Sequence, residues 1–254
     1  MKKYELTTET LQFAGRTLHR IKAVKDFGSV KAGEFGGWIE NEKNLSQDDN
    51  AWIYGDAMAF DNAKVFDNAK VFDNAKVFDN AKAFDNAKIL GNANIFGNAN
   101  VFGNANVFGY ARVHDNAIVY DNAKVFDCAE VSDNASVYGH AKVCDSAKIF
   151  GYAKVYDYAK AYGNVRIYGN ASIKGDAKVH DAADYIVFKN FWSSERYFTW
   201  TRSNNKWRVG CFYGTGEELI NKAYNDSEIS GKEYERVVRY VESILADEKK
   251  EKSN

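Results

Sequence analysis

The stretch Ala63-Lys64-Val65-Phe66-Asp67-Asn68-Ala69-Lys70-Val71-Phe72-Asp73-Asn74 decides the fold, because it is one six-residue unit written twice. The same unit extends in both directions, from Ala51 to Ala183, with a small residue at every sixth position and Val165 the one Val among the Ala. Six residues do not match a helical turn of about 3.6 residues, but they hold three steps of the two-residue alternation of a strand. Within Ala-Lys-Val-Phe, Ala and Val point one way and Lys and Phe the other. The following Asp-Asn or Gly-Asn pair is a corner, since Asn and Gly accept left-handed backbone angles at low steric cost. Strand-plus-corner units of fixed period form solenoids, in which each unit packs only on its neighbours.

Ala beside a corner and Val or Ile at mid-side (Val65, Val71, Val77, Ile89, Ile95, Val101) suit a narrow, three-sided interior. Three sides make a coil of eighteen residues, so outward residues eighteen apart stack at the strand spacing of about 4.8 Å. One such column reads Phe66, Phe84, Phe102, Tyr120, Tyr138, Tyr156 and ends at Lys174. A second reads Phe72, Leu90, Phe108, Phe126, Cys144, Tyr162, His180, and a third Phe60, Phe78, Phe96, His114, Ser132, Phe150, Tyr168. The span from Ala51 predicts a little over seven coils, a rod of roughly 35 Å.

Composition narrows the classes of function. The 254 residues carry 34 Lys and Arg against 35 Asp and Glu, a formal charge of −1. The balance also holds locally: 8 of each sign in residues 1–50, 14 basic against 15 acidic in 51–183, and 12 of each in 184–254. This is neither a basic nucleic-acid groove nor a polyanion mimic. No apolar run reaches spanning length and the first residues lack the apolar core of a signal peptide, so a cytoplasmic protein without membrane contact is expected. Three Cys make no disulfide framework, and Cys128 and Cys144 fall two residues out of line on neighbouring coils. Pro is absent, as suits a ladder that uses its backbone donors throughout.

Both ends of the rod need covers, because an open solenoid end presents unpaired strand edges. Residues 1–45 read as an N-terminal β cap, with strands around Tyr4–Thr7 and Leu18–Val24. Residues 46–183 are the solenoid. Residues 184–246 read as a small α+β domain: three strands (Tyr185–Phe188, Tyr197–Thr201, Trp207–Val209), then two helices opened by the capping boxes Thr215…Glu218 and Ser230…Glu233. Residues 247–254 read as a charged, frayed tail.

A resemblance enters at Ala23-Val24-Lys25-Asp26-Phe27, Val30-Lys31-Ala32-Gly33 and Gly36-Gly37-Trp38-Ile39, with Asn44-Leu45-Ser46-Gln47, Trp52-Ile53-Tyr54 and Ala57-Met58-Ala59-Phe60. These residues resemble the start of the bacterial YdcK-like hexapeptide-repeat proteins. The resemblance implies a single-stranded left-handed parallel β-helix and kinship with the hexapeptide acyltransferases. Repeats of this kind with a short C-terminal domain are also similar to accessory proteins of phages and prophages.

Two functions follow as expectations. The first is a non-catalytic scaffold or protein-binding module that meets another protein, or another copy of itself, through an aromatic outer face (Tyr120, Tyr138, Tyr156) or through the C-terminal Trp200, Arg202, Trp207 and Arg208. It would need no cofactor or metal. The second is an acyltransferase with acyl-CoA as donor and a site between the subunits of a trimer, as the resemblance implies. Its catalytic candidates are His114, His140 and His180, which lie on three different lines of the triangle. No Cys/His spacing fits zinc, and no insertion interrupts the hexads to build a pocket. The repeats lose their regularity from Tyr110 onward, which makes that half the place to look for a site.

Overall fold

In the computed structural model, which describes residues 2–251, the six-residue units become three parallel sheets that share one interior. Each unit contributes a two-residue strand, such as Lys70–Val71 or Lys88–Ile89. Each strand pairs in parallel with the strands eighteen residues before and after it: Lys88 faces Lys70 on one side and Asn106 on the other. One side of the rod runs from Phe35–Ile39 to Arg166–Ile167, the second from Trp52–Ile53 to Lys178–Val179, and the third from Lys64–Val65 to Ser172–Ile173. Leu45 already pairs with Val65, so the third side begins there and the rod has about eight coils.

The lumen is made of small side chains. The Ala and Val/Ile positions from Ala51 to Val179 are buried in one continuous cluster. Each Val or Ile contributes about 1.5–3 kcal/mol, so the rod is held by many equal terms.

The corners differ from expectation in one respect. The left-handed residue is the first of the pair: Asp61, Asp67, Asp73, Asp79 and Asp85 have φ of 54° to 59°, and Gly91, Gly97, Gly103 and Gly109 have φ of 67° to 72°. The following Asn is not left-handed. Its side chain forms an amide ladder along the rod edge, Asn62 Nδ2 donating to Asn80 (3.2 Å), Asn80 to Asn98 (3.2 Å) and Asn98 to Asn116 (3.1 Å). The corner Asp has its own vertical bond. Asp73 Oδ2 accepts from Gly91 N (2.9 Å), Asp79 from Gly97 (3.0 Å) and Asp85 from Gly103 (3.1 Å).

At the N-terminal end, β1 (Tyr4–Phe13) and β2 (Arg16–Ala23) form an antiparallel pair that continues into β3 (Phe35–Ile39), and β3 pairs in parallel with Met58–Ala59. The cap is therefore an extension of one side of the rod. Gly36 allows that approach: a Cβ there would sit 2.6 Å from Ile21, from the Ile53 carbonyl and from Trp52. Lys3 is buried where the cap meets the rod. Its Nζ donates to the carbonyls of Asp48 (2.9 Å) and Ala51 (2.9 Å), and burial brings it down to about 8.

At the other end, Tyr185–Lys189, Tyr197–Thr201, Lys206–Val209 and Phe212–Gly214 make a four-stranded antiparallel sheet, one strand more than the sequence suggests. Two helices cover it, α1 (Gly216–Asp226) and α2 (Glu228–Glu251). The box at Thr215 forms as expected, with Thr215 Oγ1 accepting from Glu218 N and Glu218 Oε2 accepting from Thr215 N. The box at Ser230 does not form, because α2 starts earlier: Ser227 Oγ accepts the Ser230 N–H at 3.1 Å. The expected frayed tail is also helical as far as Glu251, through a last turn that ends in Lys249 and Lys250, cations that favour a helix C-terminus; residues 252–254 lie outside the described residues. No helix among the described residues is long and apolar enough to cross a membrane.

Candidate functional site

The rod ends on backbone donors that have no next coil, and the C-terminal domain supplies the acceptors. Ser172 N donates to Thr199 Oγ1 (3.0 Å), Lys178 N to Ser203 Oγ (2.6 Å), and Tyr213 OH reaches back to the Lys174 carbonyl (3.1 Å). Docking by these few points, on one part of the last coil, leaves open clefts beside the contact.

One of these clefts, of about 870 Å³, lies between the last turns of the rod and the strands Tyr185–Lys189 and Tyr197–Thr201. Phe150, Arg166, Tyr168, Tyr185 and His180 are among its walls. His180 follows the last rod strand and is held from three directions. Its backbone N–H, and that of Asp181, donate to Asp184 Oδ2 at 2.8 and 3.0 Å. Its ring leans on Tyr162 at 4.9 Å between centroids. Its Nδ1 lies 2.7 Å from Asp181 Oδ2, and because a carboxylate only accepts, Nδ1 carries the proton. That bond and the Asp181 charge raise the His180 pKa above the ordinary histidine value. In the neutral ring Nε2 is then the basic nitrogen, and among the described residues it has no hydrogen-bond partner. Gly163 makes room for it: a Cβ there would stand 2.6 Å from Nε2. Nearby, Tyr185 OH donates to the Arg166 carbonyl at 2.8 Å, and burial pushes this phenol up to about 12, so it stays a donor. The Arg166 guanidinium lies 5.2 Å from the centre of the Phe150 ring.

The other two histidines are elsewhere. His114 stacks on Phe96 at 4.6 Å and spends both ring nitrogens on carboxylates, Asp115 (3.0 Å) and Glu130 (2.8 Å). Glu130 is partly buried, which favours its neutral form, yet hydrogen bonds from Lys148 and His114 outweigh this and hold its pKa low. This cluster staples three coils together and leaves His114 no nitrogen for a substrate. His140 stands in an edge column, stacked on Tyr158 at 4.9 Å.

The aromatic column forms as the spacing predicts, with Tyr120, Tyr138 and Tyr156 parallel at 4.8 and 4.7 Å. Its end is covered, because Arg208 Nε donates to Tyr156 OH at 2.7 Å and Tyr156 is buried. Of the C-terminal candidates, the two tryptophans are not at the surface. Trp200 and Trp207 are 1% and 2% exposed in the domain core, where Phe198, Val209 and Val238 pack with them. Arg202 forms a two-pronged bridge to Glu248 at 2.7 and 3.0 Å. A three-strand reading could not place these tryptophans, since the helices that bury them lie later in the chain. Two aromatics that the sequence pattern does not single out, Phe191 and Trp192, are 66% and 76% exposed in the loop between two strands. Asn190 shapes that loop by accepting from Trp192 N (2.9 Å) and Ser193 N (3.1 Å). Asp127, Cys144 and Asp145 come within ligand distance of one another. Both carboxylates already accept coil-to-coil bonds, however, and burial raises the Cys144 thiol.

No family model matches the chain. Among curated proteins it is 41% identical over 69 residues to the uncharacterized acetyltransferase YdcK of Escherichia coli (strain K12). The chain is a hexapeptide-repeat solenoid that is similar to YdcK over that stretch. The match covers 24% of this chain, and the chain spans about a fifth of the relative's length.

Proposed function

We propose that this hexapeptide-repeat protein is an acyltransferase, with acyl-CoA as donor and His180 as general base. The observation that carries the reading is the His180–Asp181 pair at the cleft: one nitrogen fixed by a carboxylate, the other basic and unengaged. Similarity to an acetyltransferase and the solenoid fold support the same class. In this reaction Nε2 takes the proton of an acceptor hydroxyl or amine as its O or N attacks the thioester carbonyl. The tetrahedral intermediate collapses, the C–S bond breaks, and the proton goes to the departing thiolate. Tyr185 and Arg166 are among the polar groups of the wall that would orient the acceptor. Unlike the site between subunits that the resemblance implies, this one is built within one chain.

The test is release of free CoA thiol from acetyl-CoA across a panel of amine and hydroxyl acceptors. His180→Ala should lower turnover by about 100-fold or more with an unchanged melting curve, while His140→Ala leaves turnover intact. The base must be neutral to act, and Asp181 raises its pKa, so the acid limb of the rate profile should lie above the ordinary histidine range. Asp181→Asn should move that limb to lower pH. No thiol release with any acceptor, and no thermal shift with acyl-CoA, would remove the reading.

A binding role is the second reading, and Phe191 and Trp192 favour it, because adjacent exposed aromatics on an ordered loop are the kind of residue that anchors interfaces. Under that reading acyl-CoA is ignored, and the double change Phe191→Ser, Trp192→Ser abolishes capture of a protein partner by the full chain.

A further inference from the structure

A second cleft, of about 380 Å³, lies across Tyr197 and Asn170, which wall both it and the His180 cleft. Its lining includes Lys154, Arg196 and Arg208 and no carboxylate. In a chain with 34 basic against 35 acidic residues, three cations around one small cleft are a local imbalance. Lys154 and Arg196 make no ion pair and no side-chain hydrogen bond among the described residues. The Arg196 side chain lies along Gly210, where a Cβ would be 3.2 Å from its Cδ. Arg208 is half-buried and meets only neutral partners, Tyr156 OH at 2.7 Å and the Phe212 carbonyl at 3.4 Å. Those two bonds fix its guanidinium before any ligand arrives. A half-buried, preoriented guanidinium without a counterion, beside two further unpaired cations, is a built anion site. The wall also carries Tyr152, which is 62% exposed, and Tyr197, so flat aromatic faces adjoin the charge.

We propose that this cleft binds an organic phosphate attached to a planar ring, a nucleotide, with Arg196, Arg208 and Lys154 on the phosphates and the ring against tyrosine. Guanidinium forks match phosphate oxygens, and stacking on an aromatic face tolerates any base. The proposal does not depend on acyl transfer at His180. Two tyrosines and three cations provide for both halves of such a ligand, whereas a bare inorganic anion would leave the aromatic wall unused.

The test is isothermal titration of the full chain with ADP, adenosine and inorganic phosphate. Saturable ADP binding is expected, with adenosine weaker by about tenfold or more and inorganic phosphate competing with ADP. Arg196→Gln and Lys154→Gln, both at exposed positions, should each weaken ADP binding, and Arg208→Gln should weaken it most. His180→Ala should leave it unchanged, which separates this site from the catalytic reading. Absence of saturation at millimolar ADP, equal affinity for adenosine and ADP, or an Arg196→Gln curve that superimposes on the parent's would each overturn the proposal.

Discussion

At the scale of single residues the corner explains the repeat. A left-handed residue costs an ordinary side chain about 1–2 kcal/mol and glycine almost nothing. The chain alternates between two solutions, glycine with no penalty, and Asp with a penalty that its carboxylate offsets by binding the backbone N–H of the next coil. Hence Asp85→Ala should lose about 1–3 kcal/mol, because Ala takes the strained angle and leaves Gly103 N without its acceptor. Asp85→Gly should lose less, since it gives up only the bond. Urea unfolding of both variants checks the order, and an Ala variant as stable as the Gly one would show that the left-handed angle carries no cost here. The sequence shows that Asp-Asn is a corner but not which member turns. Both residues tolerate the angle, and the deciding carboxylate bond spans eighteen residues, beyond any local reading.

At the scale of elements, the rod is a set of identical strands and its ends are where specificity enters. The buried Ala and Val sets and the aromatic columns were legible from alternation alone, because every rod residue sees the same neighbours in each coil. The ends lack that redundancy. Thr199, buried at 1% exposure, reads as one more strand residue, yet its hydroxyl accepts the Ser172 N–H that the missing next coil would have taken. Ser203 does the same for Lys178. Trp200 and Trp207 mislead for the same reason: aromatic residues beside arginines suit an interface as well as a core, and only α1 and α2 packing over them decides. Thr199→Val keeps shape and volume but removes the acceptor, so it should destabilise the chain by about 1–3 kcal/mol, the cost of a buried donor left without a partner. Protection of the Ser172 amide against hydrogen exchange should fall with it. A variant with parental stability and parental protection would mean that the C-terminal domain merely rests on the last coil.

At the scale of the whole molecule, a solenoid has a grammar of allowed lengths. Stability is close to a sum over coils and their interfaces, so the chain should answer to register rather than to the number of residues lost. Removing Asp85–Phe102 joins Phe84 to Gly103, keeps every column eighteen residues deep and subtracts one coil. Removing Asp85–Leu90 turns the N-terminal half by one side of the triangle but keeps small residues inside. Removing Lys88 alone moves Ile89 from the lumen to the outside and reverses the alternation of that strand. The deletion of one residue should therefore lower the melting temperature more than the deletion of six or of eighteen. The same series bears on where chemistry is done. Both clefts are walled by residues that begin at Asn134, and His180, Arg166, Arg196 and Arg208 all lie beyond Phe102. With a site complete in one chain, the six- and eighteen-residue deletions should keep parental thiol release and ADP affinity, although the first turns the N-terminal cap to a different side and the second shortens the rod. A site shared between neighbouring rods needs their full-length faces in alignment, so loss of activity in those two variants, with the fold intact by circular dichroism, would move the chemistry from the His180 cleft to the contact between copies.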